Sequence, residues 1–152
     1  MYVDYRRLNS ITKFDCLPLP PLDKAFDVFS GAMVFSSLDL AITYHQVPVK
    51  PSDVVKTAFI KHVRFCKMSK MPFVLCNALL TYQRLMAGVI HDLIGRICLA
   101  YLNDVIVVTK KRFDHTANFR AVLHQIYPPG LKLKNLKCSL FCEQVRNVGH
   151  FI

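Results

Sequence analysis

Residues 97–109, ICLAYLNDVIVVT, decide the fold. A largely apolar run from Ile97 to Leu102 precedes Asn103-Asp104, and Val105, Ile106, Val107 and Val108 follow. Aliphatic branched residues favour extended backbone, while Asn and Asp tolerate the positive φ of tight turns, so the segment predicts a β-hairpin with its polar pair at the tip. Two buried strands would hold Asp104, with Asn103 beside it, at a fixed point on a sheet rim. Upstream, residues 33–40 read MVFSSLDL, where strand alternation puts Phe35, Ser37 and Asp39 on one face. If the two strands are neighbours, the Asp39 and Asp104 carboxylates converge. Paired carboxylates bind hard cations, and Mg²⁺ takes one or two of them together with substrate phosphates. The competing reading makes Asp39 a cap for the next segment and Asn103-Asp104 an ordinary turn.

Working outward, LPLPP at 17–21 is a stiffened entry to a short helix marked by Leu22, Ala25, Phe26 and Phe29, with Gly31 as its stop. Pro48 and Pro51 break the chain, and KTAFI with Lys61, Arg64, Lys67 and Lys70 predicts a basic two-stranded projection. Apolar residues at 75, 79, 82, 86, 89 or 90, and 93 have the spacing of a long amphipathic helix ending near Gly95. Phe119, Val122, Leu123 and Ile126 mark a second helix, capped by Asp114 or Thr116 and stopped by Pro128-Pro129-Gly130. Alternation from Leu131 to Lys134 predicts a half-buried strand, and the tail from Ser139 to Ile152 a hairpin around Glu143-Gln144.

The whole is 152 residues, the size of one domain, with 53% hydrophobic residues and a mean hydropathy of +0.28, far from the composition of disorder. The longest stretch free of Asp, Glu, Lys and Arg runs from Met71 to Gln83, too short for a membrane-spanning helix. The first residues, MYVDYRRLNS, have neither the apolar core of a signal peptide nor an import presequence pattern, so localisation is left open. Lys and Arg number 20 against 10 Asp and Glu, a formal net charge of +10. Such an excess favours polyanions through counterion release, with nucleic acid the leading partner class and a merely solvated basic surface the alternative.

The six cysteines lack short paired spacings and read as reduced small hydrophobes. His124, Cys138, Cys142 and His150 are of zinc-ligand type, but their spacing is not that of a structural zinc site. No Gly-rich phosphate loop, Gly-x-Ser-x-Gly elbow or His-Glu-x-x-His helix is present.

Read in order, VDYRRLN (3–9), LPLPPLD (17–23), FSSLDL with TYHQVPV (35–49), KTAF (56–59), MPFVLCNA with TYQRLM (71–86), YLND (101–104), GLKLKNLKC (130–138) and VGHFI (148–152) resemble the reverse transcriptase of gypsy-type LTR retrotransposons. The resemblance implies an α+β fold, the fingers and palm of a right-hand polymerase with an antiparallel palm sheet backed by helices. It implies one domain fragment, with the palm at about 22–50 and 71–152 and the fingers at about 1–21 and 51–70, and with thumb and RNase H absent. The implied reaction is RNA-directed DNA polymerisation, adding dNTPs to a primer 3′-hydroxyl on an RNA or DNA template with two Mg²⁺ ions, and no membrane is involved.

By the same resemblance, Asp39 and Asp104 are the catalytic, metal-binding aspartates, and Asn103 stands where the family has a further aspartate. A neutral amide there removes a full charge, so polymerisation is expected to be impaired. Tyr44, Phe73, Gln83 and Lys137 match nucleotide-binding positions, and Gly149 with His150 the primer grip. Val74 replaces a family glycine, with a cost if the backbone there needs positive φ. Thr43 replaces another glycine, and Leu79 a helix-opening proline. Two other readings are a non-catalytic nucleic-acid-binding remnant that keeps the basic groove, and an expressed remnant with no selected role.

Overall fold

The computed structural model describes residues 3–16, 30–101, 104–147 and 150–151, the residues from 146 onward by backbone alone. Two compact units form, one from residues 1–17 and 42–82, the other from 18–41 and 83–152. The helix expected over 22–29 and Asn103 at the hairpin tip lie outside the described residues. No helix among the described residues is long and apolar enough to cross a membrane.

In the first unit, helix α1 (Arg6–Ile11) is too short to be stable alone and is fixed by side chains that stand in for backbone partners. The Asn9 amide donates to the Val74 carbonyl at 2.8 Å and accepts from the Cys76 N–H at 3.0 Å. Asn77 does the same for the strand-less segment after α1, donating to the Lys13 carbonyl and accepting from the Asp15 N–H. Buried Tyr5 donates its hydroxyl to the Thr57 carbonyl at 2.9 Å. The short helix α2 (Pro51–Val54) opens on a proline, whose missing N–H costs nothing at that position. Strands β2 (Phe59–Lys61) and β3 (Arg64–Cys66) then pair as the projected hairpin, Ile60 opposite Phe65 and Lys61 opposite Arg64.

Helix α3 (Ala78–Val89) is shorter than the spacing suggested. Leu75 to Asn77 are held in turns instead, and beyond Ile90 the chain turns to Gly95, whose φ of 77° only glycine adopts without strain. Its buried positions are Ala78, Leu80, Tyr82, Gln83 and Met86, so a polar residue sits on the inner face where periodicity marked only apolar ones.

The second unit is built on one antiparallel sheet in the order β4-β5-β1-β6, from β1 (Val34–Asp39), β4 (Cys98–Tyr101), β5 (Asp104–Thr109) and β6 (Ser139–Cys142). One face carries Phe35, Leu99, Ile106 and Val108, clustered with Val145. The other carries Val34, Ser36 and Leu38, with helix α4 (His115–Ile126) over it. Leu131 to Lys134 do not form the expected strand. Apart from a bridge between Leu40 and Leu133, the segment is strapped to the end of β1 through Ala41 N–H to the Lys132 carbonyl and Lys134 N–H to the Asp39 carbonyl, both 2.8 Å. The tail differs too. Strand β6 pairs with β1, not with a later strand, while β7 (Arg146–Asn147) and β8 (His150–Phe151) pair with each other.

His115 was not marked by the sequence, yet it is wholly buried and ties the layers together. Its Nε2 lies 2.7 Å from Ser36 Oγ on β1, and its Nδ1 2.9 Å from Thr109 Oγ1 on β5. Ser36 Oγ also accepts the Phe141 N–H at 3.0 Å, filling the gap left where β6 slips its register against β1. A neutral imidazole offers one N–H and one bare nitrogen, and two hydroxyls, each able to donate or accept, satisfy both.

Among the described residues, the non-glycine residues with left-handed backbone are Ile42, His62 and Phe141, and of these only Ile42 is β-branched. Val74 is not among them, so the cost expected there is absent. Ile42 has φ 50° and a 74% exposed side chain that gains little from packing. Ile42→Gly is expected to raise stability by about 1 kcal/mol in urea denaturation, since left-handed backbone is costly for a β-branched residue.

Burial holds the His115 ring below its ordinary value of 6.5, favouring the neutral form in the fold. Its contribution to stability is therefore complete above pH 6.5 and falls as acid drops through that value towards the lower folded one. Thermal melts across this window should show the loss, and His115→Gln should flatten it. Ser36→Ala, which strips a partner from both the ring and the Phe141 N–H, should cost about 1–3 kcal/mol.

Candidate active site at the end of the four-stranded sheet

Asp39 is the last residue of β1 and Asp104 the first of β5, and the register sets them directly opposite each other. Directly opposed residues of an antiparallel pair point to the same face, with Cβ atoms about 4.5–5.5 Å apart. That face continues inward as Ser37 and Ile106, then Phe35 and Val108, so the carboxylates stand at the rim of an apolar floor. Tyr101, on the far side of β5, is the β4 partner of Asp104.

Electrostatics follow from this placement. Burial pushes the Asp104 carboxyl above the ordinary carboxylate range, the facing charge of Asp39 pushes it further, and the Lys137 ammonium pulls it partly back. Lys137 Nζ lies 3.7 Å from Asp39 Oδ2. The lysine is well exposed and the carboxylate is not, so the pair is worth little to stability, about 1 kcal/mol at most. Lys137 reaches this point because the strap of 132–134 along the end of β1 is followed by a tight turn, Asn135–Lys137, that offsets the chain before it resumes antiparallel pairing with β1 as β6. Sequence spacing carried no signal for this ion pair, since the strap that creates it has the alternation of a strand.

The other sequence-marked residues fall as follows. Tyr44 belongs to the first unit, in a one-turn helix (Thr43–Gln46), with its ring edge-on to Tyr82 at 5.8 Å. Thr43, at the start of that turn, is buried. Phe73 is half exposed in the same unit. Gln83 is buried in the second unit and donates its amide to the Ala100 carbonyl of β4 at 3.2 Å. His150 begins strand β8, and Asn103 and Gly149 lie outside the described residues. His124, Cys138 and Cys142 form no metal cluster, and no group of three or more His, Cys, Asp and Glu gathers among the described residues. Cys138 Sγ points at the Lys134 carbonyl, and all six cysteines are unpaired thiols. Burial pushes the Cys98 thiol up to about 12, in keeping with its reading as a small hydrophobe.

The donor chemistry fits a divalent cation. Two carboxylates with oxygen lone pairs face each other, and their repulsion, seen in the raised Asp104, is what a doubly charged ion relieves.

An antiparallel sheet backed by helices, with a paired hairpin in a second unit, is the α+β fingers-and-palm architecture of polymerases. The foamy viral protease-reverse transcriptase, solved with double-stranded DNA, superposes with a TM-score of 0.85 at 16% identity, covering 98% of this chain and 26% of that one. The same viral protein solved with an RNA/DNA hybrid gives 0.84 over 98% of this chain and 20% of that one, also at 16% identity.

The family model for reverse transcriptase (RNA-dependent DNA polymerase) matches residues 1–152, and the chain belongs to that family. The retrovirus-related Pol polyproteins of Drosophila melanogaster transposons 297 and opus are 31% and 32% identical over 99% and 100% of this chain. The chain spans 14% and 15% of those polyproteins.

Two changes separate the causes acting on Asp104. Asp39→Asn should lower its pKa and Lys137→Ala should raise it, read as opposite displacements of its carboxyl ¹³C titration. Asp104→Asn should stabilise the fold at neutral pH by roughly 0.2–1 kcal/mol, the worth of removing one opposed like-charge pair.

Proposed function

We propose that this chain is the fingers-and-palm part of an RNA-directed DNA polymerase, weakened in catalysis by Asn103. The carrying observation is the register that opposes Asp39 and Asp104. In this reading the palm comprises about 22–50 and 71–152 and the fingers about 1–21 and 51–70. The contact-defined units divide 42–50 and 71–82 differently, assigning both to the first unit.

Asp39 and Asp104 would hold the Mg²⁺ ions that, when bound, supply charge stabilisation to nucleotidyl transfer. Lys137, already beside Asp39, would donate its positive charge to the phosphates of an incoming dNTP. By resemblance, Tyr44, Phe73 and Gln83 would each have a nucleotide-binding role, and Gly149 with His150 would hold the primer end. A template-primer of RNA or DNA is the partner that the charge of +10 supports, and the foamy viral relatives were solved on double-stranded DNA and on an RNA/DNA hybrid. Asn103 adds an amide oxygen but no charge, leaving two carboxylates where a third belongs by resemblance.

A non-catalytic nucleic-acid-binding role is the second reading, favoured by the Lys137 ammonium that stands beside Asp39. Primer extension with Mg²⁺ or Mn²⁺ separates the two. The chain as it stands should extend weakly, Asn103→Asp should raise the rate by at least about tenfold, equivalent to about 1.4 kcal/mol of barrier, and Asp39→Ala should abolish it. Robust synthesis by the unaltered chain, lost in Asp39→Ala, overturns the impairment. No extension by Asn103→Asp, with salt-dependent duplex binding unchanged by Asp39→Ala, favours the binding role.

A further inference from the structure

The end of β5 opposite Asp104 opens into a second polar cavity, of about 330 Å³. Its walls include Arg96, Thr109, Lys110, Lys111, Asp114 and Asn118. Five residue steps at about 3.4 Å each put it roughly 17 Å along β5 from the acidic pair. Three cations thus meet one carboxylate. Among the described residues neither Lys110 nor Lys111 is in an ion pair, and Arg96 reaches only the Asp92 carbonyl, at 3.5 Å. Nearby Arg112 is already engaged by Glu143 at 2.6 Å, which leaves the other three to set the local field.

Helix α4 begins at this cavity. Asp114 is its N-cap residue but makes no side-chain capping bond, so the positive end of a twelve-residue helix adds to the same field. Thr109 Oγ1 is occupied by His115 and by Asn118 Nδ2, which fixes the wall in place from the buried side. A cavity on the order of ten water volumes has room for more than one tetrahedral oxyanion.

We propose that this cavity is a phosphate-binding site, distinct from the acidic pair, that takes linked phosphate groups. They could belong to a polynucleotide backbone or to free polyphosphate. The recognition chemistry is shared: a planar guanidinium able to make paired hydrogen bonds, two ammonium point charges and a helix N-terminus.

The test uses the full chain in metal-free, EDTA-containing buffer without dNTP, so that neither the acidic pair nor polymerisation contributes and failure here leaves the polymerase reading untouched. Tripolyphosphate binding is measured by calorimetry, and fluorescein-labelled oligothymidylate binding by anisotropy. The triple variant Arg96→Ala, Lys110→Ala, Lys111→Ala should weaken binding by at least about tenfold. A control with equal charge loss, Lys13→Ala, Lys50→Ala, Lys61→Ala, should weaken it less than about twofold, because close convergent contacts outweigh screened distant charge. Asp114→Asn removes the opposing carboxylate and should tighten binding.

Loss with both probes, tripolyphosphate displacing the oligonucleotide, supports the site with backbone phosphate as occupant. Loss confined to tripolyphosphate supports it with free polyphosphate. Equal weakening by the control, weakening by Asp114→Asn, or no binding of either probe overturns the proposal.

Discussion

The register between β1 and β5 is the constraint on which the rest depends. Six consecutive pairs run from Val34 opposite Thr109 to Asp39 opposite Asp104. Because side chains alternate with a period of two, slipping either strand by one residue would turn Asp39 into the layer occupied by α4 and bring Ser36 out of it. The slip is resisted from both faces. Phe35, Ile106 and Val108 require the apolar cluster on one side, and His115 requires Ser36 and Thr109 on the other. Core packing and acidic pair are therefore a single specification, written once in the alternation of two strands.

That specification has an electrostatic cost. Burial at the rim of an apolar floor, and after it the facing charge of Asp39, leave Asp104 with a raised affinity for its proton. The fold answers with an exposed lysine at 3.7 Å, held by a strap and not by a strand. Such a lysine is a weak, displaceable counter-ion, because its long side chain remains well solvated. Under the proposed function, a cation would meet groups that are already opposed and only lightly neutralised, the condition in which binding energy goes into the site instead of into dismantling it.

Much of this was legible in order along the chain. The run ICLAYLNDVIVVT gives the hairpin strands and MVFSSLDL the facing strand, and of the two readings left open for the acidic residues, convergence or a cap and an ordinary turn, the register supports the first. The two-stranded segment expected over residues 56–70 pairs as read, over Phe59–Lys61 and Arg64–Cys66. What stayed hidden has a common cause: backbone groups satisfied by distant partners. Leu131 to Lys134 alternate like a strand but pair only with the end of β1, since the turn at Asn135–Lys137 interrupts pairing until β6. His115 carried no mark in the sequence, and only the three-dimensional meeting of β1, β5 and α4 gives it two hydroxyls. Asn9 and Asn77 lie within motifs that mark the family, yet their amides serve as local backbone substitutes, bridging segments that no propensity scale connects.

The replaced glycine at Val74 and the residues with left-handed backbone can be ranked by whether the structure absorbs them. Val74 replaces a glycine at no conformational cost, since its backbone is not left-handed and its carbonyl is taken up by Asn9. Phe141 has φ 54°, but its N–H is held by Ser36 and its ring packs on His115 and Phe119, so neighbours offset the strain. Ile42 has the same kind of backbone with its side chain in water, a short distance beyond Asp39. Ile42 is thus a strain that packing leaves uncompensated, whereas Asn103, under the proposed function, is a lost charge, so the two differ in kind.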